Sequence, residues 1–287
     1  MNYRHAYHAG NFADVVKHVI LARVIEHLKL KSQPFRIIDT HAGVGRYDLT
    51  GFEAGKTGEW EGGIGRLMAA TVSVPVRAIF EPYLQAISNL NGGTAITVYP
   101  GSPLLARMLM RAGDQLVANE LHGEDFEVLK SLFHKVPDTK VLNLDAWAAV
   151  KSLLPPKERR GAILIDPPFE KTGEFERLSE GVANGLRRFG TGTFVIWYPV
   201  KDEPAVARFI ARVKAGGALK AVDARLWISN PRSTLGLAGT GVLIVNPPFR
   251  LKADLELILP VLASVLAAGP GAGFELMSWG DGGPSIP

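Results

Sequence analysis

The tetrapeptide Asp166-Pro167-Pro168-Phe169 places a carboxylate, two residues without a backbone N–H, and a flat ring within one turn. It follows the apolar run Ala162-Ile163-Leu164-Ile165, which reads as a buried parallel strand that the prolines bring to an end. Rigid carbonyls and a carboxylate accept hydrogen bonds from a planar amine, and a ring beside them can stack on the amine's base. A strand stopped by proline, with its aspartate in solvent, would have the same sequence. The tetrapeptide alone does not choose between the two.

Three more acids stand in equivalent places. Asp39 closes the run Phe35-Arg36-Ile37-Ile38, Glu120 follows Gln115-Leu116-Val117-Ala118-Asn119, and Asp145 follows Lys140-Val141-Leu142-Asn143-Leu144. In a doubly wound sheet the carboxyl ends of parallel strands meet at the ligand crevice, so four acids would crowd one site. Unpaired carboxylates repel one another, and a ligand rich in amine and hydroxyl donors, preferably cationic, accounts for the crowding. S-adenosylmethionine has these groups: two ribose hydroxyls, an adenine amine, an ammonium and a sulfonium. NAD and ATP bring phosphates and favour the opposite charge.

The elements that position these residues can be read in order. Val15, Val16, Val19, Ile20, Val24, Ile25 and Leu28 recur at helical spacing, predicting a helix from about Asp14, as N-cap, to Leu30. Lys17 and His18 fall in its first turn, facing either solvent or a polar ligand. Thr40-His41-Ala42-Gly43-Val44-Gly45 is a glycine-rich turn after the first strand, but position 48 is Asp, which breaks the dinucleotide fingerprint. Gly55-Lys56-Thr57 imitates a phosphate-binding loop, yet Thr50 stands where its first glycine belongs and no strand leads in. Residues 1–287 read as one α/β domain with a mostly helical insertion at 48–110. Within it, Ser102 is expected as an N-cap and Pro103 at the first helical position. Strands and helices then alternate to two last strand runs, 219–228 and 241–245, a helix at 251–266 and a Gly/Pro-rich tail.

Composition narrows the function class. The chain has 287 residues, 47% of them hydrophobic, a formal net charge of +4 and no cysteine. A sizeable core is possible; disulfides, zinc knuckles and thiol nucleophiles are excluded. The polar start has no apolar signal core, and the apolar stretch 255–268 is too short to span a bilayer, so the expectation is a cytoplasmic protein with no membrane partner. No metal-ligand pattern is present, and a monomer is expected.

Several motifs resemble one family. Asp166-Pro167-Pro168-Phe169 resembles the motif of methyltransferases that modify exocyclic base amines. The N-terminal series Tyr3-Arg4-His5, His8-Ala9-Gly10-Asn11, Ala13-Asp14 and Lys17-His18 resembles the signature of bacterial 23S ribosomal RNA adenine-N6 methyltransferases of the J type. So do Asp39-Thr40-His41-Ala42-Gly43, Tyr99-Pro100-Gly101-Ser102-Pro103 and Trp197-Tyr198-Pro199-Val200. The resemblance covers nearly the whole chain. It implies a Rossmann-like class I methyltransferase fold and S-adenosylmethionine held by His18, His41, Ser102, Glu120, Asp145 and Ala146. It also implies a catalytic Asp166, and Tyr3 near a 23S ribosomal RNA substrate that is protein-free or early in assembly. Ala146 stands where the family often has Gly, and Phe169 where Tyr is common. Phe169 keeps a ring that can stack on the target base.

Asn246-Pro247-Pro248-Phe249 matches the broader motif equally well. If the last strand is antiparallel, Asn246 lies at the wrong edge of the sheet, and Asp166 is the working copy. Arg4, His5, His8 and Lys17, with Lys157, Arg159 and Arg160, are the candidate RNA contacts. The alternatives from other classes are a DNA adenine methyltransferase, a dinucleotide-dependent oxidoreductase and a non-catalytic nucleotide-binding module.

Overall fold

The computed structural model describes residues 4–93, 95–230 and 236–280. Tyr3 lies outside them. The chain enters through helix α1 (Phe12–Lys29), strand β1 (Arg36–Asp39) and a short strand β2 (Arg46–Asp48). Helix α2 (Phe52–Thr57), a π-helical turn at Glu61–Gly65, α3 (Arg66–Ala69), α4 (Val74–Leu90) and strand β3 (Val98–Pro100) follow. Next come α5 (Ser102–Leu109), β4 (Gln115–Asn119), α6 (Gly123–Leu132), β5 (Thr139–Leu142), α7 (Ala146–Leu153) and β6 (Gly161–Ile165). The last third holds α8 (Glu174–Arg188), β7 (Thr193–Pro199), α9 (Glu203–Ala215), β8 (Ala221–Trp227), β9 (Gly239–Val245), α10 (Leu251–Val265) and β10 (Gly273–Trp279).

Eight strands form one sheet in the order β10-β8-β9-β7-β6-β1-β4-β5, and β2 pairs with β3 apart from it. The run from β7 through β6, β1 and β4 to β5 is parallel; β9 runs antiparallel between β7 and β8. Strand order reverses around β1, whose neighbours β4 and β6 both come later in the chain, so the crevice belongs at its carboxyl end. This is the class I methyltransferase fold.

Residues alternate along the strands between two cores. Ile37, Leu116, Leu164 and Val195 face α1, α4, α5 and α10, while Ile38, Val117, Ile163 and Phe194 face α7, α8 and α9. Fourteen of the eighteen residues of α1 are buried, Lys17 and His18 among them, because the helix lies between the sheet and the 46–100 segment. Neither side chain can be solvated surface.

Three expectations change. Asn11, not Asp14, caps α1, accepting from the N–H groups of Ala13 and Asp14; its side chain is one residue clear of the helix, whereas Asp14 lies inside the first turn. Gly101 is the cap residue of α5, and the Ser102 hydroxyl is turned to Asp39 instead. The tail carries an edge strand: Gly273–Trp279 pairs antiparallel with β8, adding a strand that a half-exposed run between glycines did not announce.

Among the described residues no helix is long and apolar enough to cross a membrane, and no group of three or more His, Asp or Glu could hold a metal ion.

Candidate active site

A cavity of about 780 Å³ opens at the carboxyl edge of the parallel strands. The β1–α5 side supplies Thr40, His41, Ala42, Gly43 and Ser102; β4 and β5 supply Glu120, Asp145 and Ala146; β6 supplies Asp166, Pro167 and Pro168. His18 enters from α1. The sequence-derived residues His18, His41, Ser102, Glu120, Asp145, Ala146 and Asp166 therefore share one wall system.

The acids differ in what already holds them. Glu120 accepts from Gly43 N at 2.8 Å and His122 N at 2.8 Å, and burial raises its pKa. Asp145 caps α7 through Oδ1, taking the N–H groups of Trp147 and Ala148. Asp39 does not line the cavity: it sits one layer behind, 1% exposed, receiving Ser102 Oγ–H at 2.6 Å and His41 N–H at 3.2 Å. Burial pushes its carboxyl up to about 7, against the pull of those two hydrogen bonds. So three of the four strand-tip acids line the cavity, and the Ser102 hydroxyl stands between it and the fourth. The Asn119 amide donates to Thr40 O at 3.1 Å and Leu144 O at 2.9 Å, tying the β1, β4 and β5 tips together.

The turn after β1 needs its glycines. Gly43 and Gly45 adopt φ of +59° and +78°, and a Cβ on Gly45 would lie 2.8 Å from Leu132 and 2.9 Å from Leu129. The resulting tight turn brings backbone to the cavity floor.

His18 is neutral, its pKa lowered to about 3 by burial. Its Nδ1 lies 2.7 Å from the Tyr99 hydroxyl, which in turn lies 2.9 Å from that of Tyr83. With Nδ1 accepting from Tyr99, Nε2 carries the proton, and this atom is buried with no partner among the described residues. An orphan donor of this kind suits a ligand carboxylate. His41, pushed down to about 4 by burial, is neutral too, with Nδ1 2.9 Å from Thr40 Oγ. An orphan buried nitrogen beside carboxylates that face open space fits S-adenosylmethionine, which presents a carboxylate, cations and hydroxyls.

Asp166 receives Lys17 Nζ on Oδ2 at 2.5 Å, and the same ammonium reaches Asp14 Oδ1 at 2.8 Å. Lys17 is 4% exposed, and the two carboxylates hold its pKa well above the ordinary value in spite of burial. This replaces the expectation that Lys17 touches RNA: its charge is consumed inside the protein. Phe169 adopts φ +51°, and its ring packs edge-on against Phe175 at 4.9 Å and Trp197 at 5.8 Å. The ring that lines the cavity here is Trp197. Among the remaining RNA candidates, His5 bonds Asp14 at 2.8 Å and His8 bonds Glu59 at 3.0 Å. Arg4 meets Glu124 at 3.6 Å on the surface. Arg160 donates to Leu28 O and Gln33 O just before β6 begins, so Lys157, Arg159 and Arg160 sit at the opposite edge of the sheet from the cavity. They share no surface with the site.

Asn246 is explained as structure. Val245 pairs with Phe194 at the start of β7, and the Asn246 amide donates to Gly190 O and Gly192 O at 2.9 Å each. It is at the far edge from Asp166. Sequence reasoning missed Trp197, Asp14, Tyr47 and Glu59 as cavity residues. Trp197 and Asp14 stand in motifs quoted for their resemblance; Tyr47 and Glu59 are brought to the cavity by the folding of the 46–65 segment.

Comparison with known proteins finds relatives over nearly the whole chain. The family model described as "Ribosomal RNA large subunit methyltransferase D, RlmJ" matches residues 32–280. The Ribosomal RNA large subunit methyltransferase J of Escherichia coli (strain K12) is 38% identical over 279 residues, 97% of this chain and 98% of that protein. The protein of the same name from Haemophilus influenzae is 38% identical over 280 residues, with the same coverage of 97% and 98%. A crystal structure of a Legionella pneumophila protein superposes with a TM-score of 0.87 at 31% identity, covering 96% of this chain and 99% of that one.

Proposed function

The chain belongs to the ribosomal RNA large subunit methyltransferase J family and depends on S-adenosylmethionine, and from that premise we propose that it methylates the exocyclic N6 of an adenine in 23S ribosomal RNA. The observation that carries the reading is that Asp166 and the Pro167-Pro168 turn line the same cavity as the strand-tip residues suited to the methyl donor.

His18 Nε2 and the Ser102 hydroxyl would hold the amino-acid end of the donor, with His41 beside them. Glu120 would take the ribose hydroxyls, and Asp145 with Ala146 the adenine. When bound, the donor supplies a methyl group on a cationic sulfur. The rest is the work of this chain's residues.

The N6 lone pair of adenine is delocalised into the ring, so the amine is a weak nucleophile. Lys17 occupies Oδ2 of Asp166, which leaves Oδ1 to accept one amine proton, and the Pro167 carbonyl accepts the other. Both acceptors stand on a strand end stiffened by two prolines and favour a tetrahedral nitrogen, which recovers its lone pair for attack. They also face the positive charge that develops on nitrogen, and Asp166 is the acceptor for the proton that then leaves. The target base has to leave its stack to enter the cavity, which costs a few kcal/mol in a duplex. Stacking on the Trp197 ring, which lines the cavity, offsets about 1–3 kcal/mol of this.

The test is transfer of labelled methyl to deproteinised 23S RNA, naked DNA and protein, followed by nucleoside analysis. N6-methyladenosine in the RNA is expected. Label in DNA or protein with none in the RNA overturns the reading.

A further inference from the structure

Asp14 lies in the first turn of α1, 1% exposed, at the cavity wall, and the function proposed above gives it no direct part in the transfer. A first-turn aspartate ordinarily serves the helix end, but Asn11 already takes the N–H groups that such a residue would cap. The Asp14 carboxylate is spent elsewhere. Oδ1 faces Lys17 Nζ at 2.8 Å; Oδ2 accepts from Gly10 N at 2.9 Å and pairs with His5 Nε2 at 2.8 Å. Lys17 then reaches Asp166, so four side chains form one hydrogen-bonded row: His5, Asp14, Lys17, Asp166.

The row has an uneven charge logic. Lys17 is buried between two carboxylates, one of which, Asp166, changes partners when an amine arrives and a proton leaves. A buried ammonium with Asp166 as its single counterion would follow that carboxylate or give up its charge at that moment. Asp14 is a counterion that no reaction step consumes. The i, i+3 spacing puts both residues on one face of α1, and the bonds from Gly10 and His5 fix the Asp14 carboxylate from the other side.

We propose that Asp14 is a positioning residue for methyl transfer: it holds Lys17 as a fixed cation, so that Lys17 pins one oxygen of Asp166 and leaves the other to the target amine. The inference rests on the function proposed above for Asp166.

Asp14→Asn keeps the side chain's shape and removes its charge. Loss of one charge-assisted contact predicts a fall in kcat of roughly 10- to 100-fold, with KM and Kd for S-adenosylmethionine within about twofold of wild type. The decisive readout is a double-mutant cycle with Lys17→Gln. If Asp14 acts through Lys17, Asp14→Asn costs less than about threefold more once Lys17 is gone. An unchanged kcat, or losses that multiply across both backgrounds, overturns the proposal. Should Asp14→Asn fail to fold, the same cycle is run with His5→Gln, at the partly exposed end of the row. A loss of kcat that vanishes in the Lys17→Gln background supports the row, and a multiplicative or absent loss overturns it. Wild type is assayed first on naked RNA. No N6-methyladenosine there sinks the functional reading, whereas an active wild type matched by Asp14→Asn sinks this inference alone.

Discussion

Lys17 and Asp166, 149 residues apart in sequence, meet at 2.5 Å at the rim of the cavity. One comes from a helix that precedes the sheet, the other from the tip of the fourth parallel strand in chain order. The contact uses one carboxylate oxygen and therefore gives Asp166 an orientation. A free aspartate at a strand end would rotate; this one has Oδ2 held by Lys17, and under the proposed function Oδ1 is left to the target amine.

Asp166→Ala removes that acceptor without touching the residues assigned to the methyl donor. Its expected effect is a loss of transfer by about 10²–10⁴-fold, the usual range for a positioned proton acceptor. Calorimetry should return an S-adenosylmethionine affinity close to wild type, with the loss confined to labelled methyl in the RNA. Activity within tenfold of wild type would remove Asp166 from its role.

Cofactor affinity should depend on pH. In the free protein Asp39 ionises only at about 7, raised by burial from an ordinary 3.8, and Glu120 is raised in the same direction. A raised carboxyl stabilises the fold at low pH, and that contribution is lost as pH climbs through the folded value. A cationic ligand acts oppositely, because it favours the ionised acids. Binding of S-adenosylmethionine should therefore tighten between pH 6 and 8, by up to roughly tenfold for one linked group, with protons released on binding. Calorimetry in two buffers of different ionisation enthalpy counts those protons, and Asp39→Asn should flatten the dependence. His18 and His41, near 3 and 4, stay neutral across the range and add no slope.

Much of the fold and part of the site were legible in the sequence, for local reasons. Parallel strands buried on both faces are nearly continuous apolar runs, so β1, β4 and β6 announced themselves, and their ends located Asp39, Glu120 and Asp166. The antiparallel last strand that the family resemblance implied is present as β9, and it places Asn246 at the edge away from Asp166. What stayed hidden depends on long-range contact. Nothing near Lys17 in sequence points to Asp166, and nothing near Asp39 says that Ser102 would separate it from the cavity. The Phe169 ring beside its motif is visible in sequence, whereas its packing on Phe175 and Trp197, which takes it out of the cavity wall, is not. Strand β10 escaped because a half-exposed edge strand carries a weak apolar pattern.

The N-terminal turn meets the 57–64 segment through several hydrogen bonds and one very close backbone approach. Gly63 has φ −103° and ψ −105° inside the π-helical turn, and a Cβ there would lie 2.1 Å from Gly10 O, while Ile64 N–H donates to that same oxygen at 2.9 Å. Gly63→Ala forces the two segments apart. Overpacking of this sort costs about 1–3 kcal/mol. Because Gly10 N–H also holds Asp14, the displacement should reach the active site. The expected phenotype is a lower melting temperature together with a fall in kcat beyond what the loss of folded protein explains. A stable variant with normal kcat would show that the turn and the site are uncoupled.

The two copies of the Pro-Pro-Phe motif should fail in opposite ways. Asn246 adopts φ +52° and gives its amide to Gly190 O and Gly192 O, joining the end of β9 to the entry of β7. Asn246→Ala loses two hydrogen bonds of about 0.5–1.5 kcal/mol each and puts a residue with a Cβ and no local polar partner in the left-handed region. It should unfold at lower temperature or denaturant while keeping its kcat at 20 °C. Asp166→Ala should do the reverse, leaving the unfolding midpoint near wild type and abolishing transfer. The sharpest comparison is the double variant Asp166→Ala with Asn246→Asp, in which the second copy carries the complete acidic motif. Its aspartate stands at the amino-terminal edge of β7, the full height of the sheet from the cavity, so methyl transfer should stay at the level of Asp166→Ala alone. Restored transfer would mean that the motif acts wherever it stands, and that the carboxyl edge of the parallel strands is not what makes Asp166 the working copy.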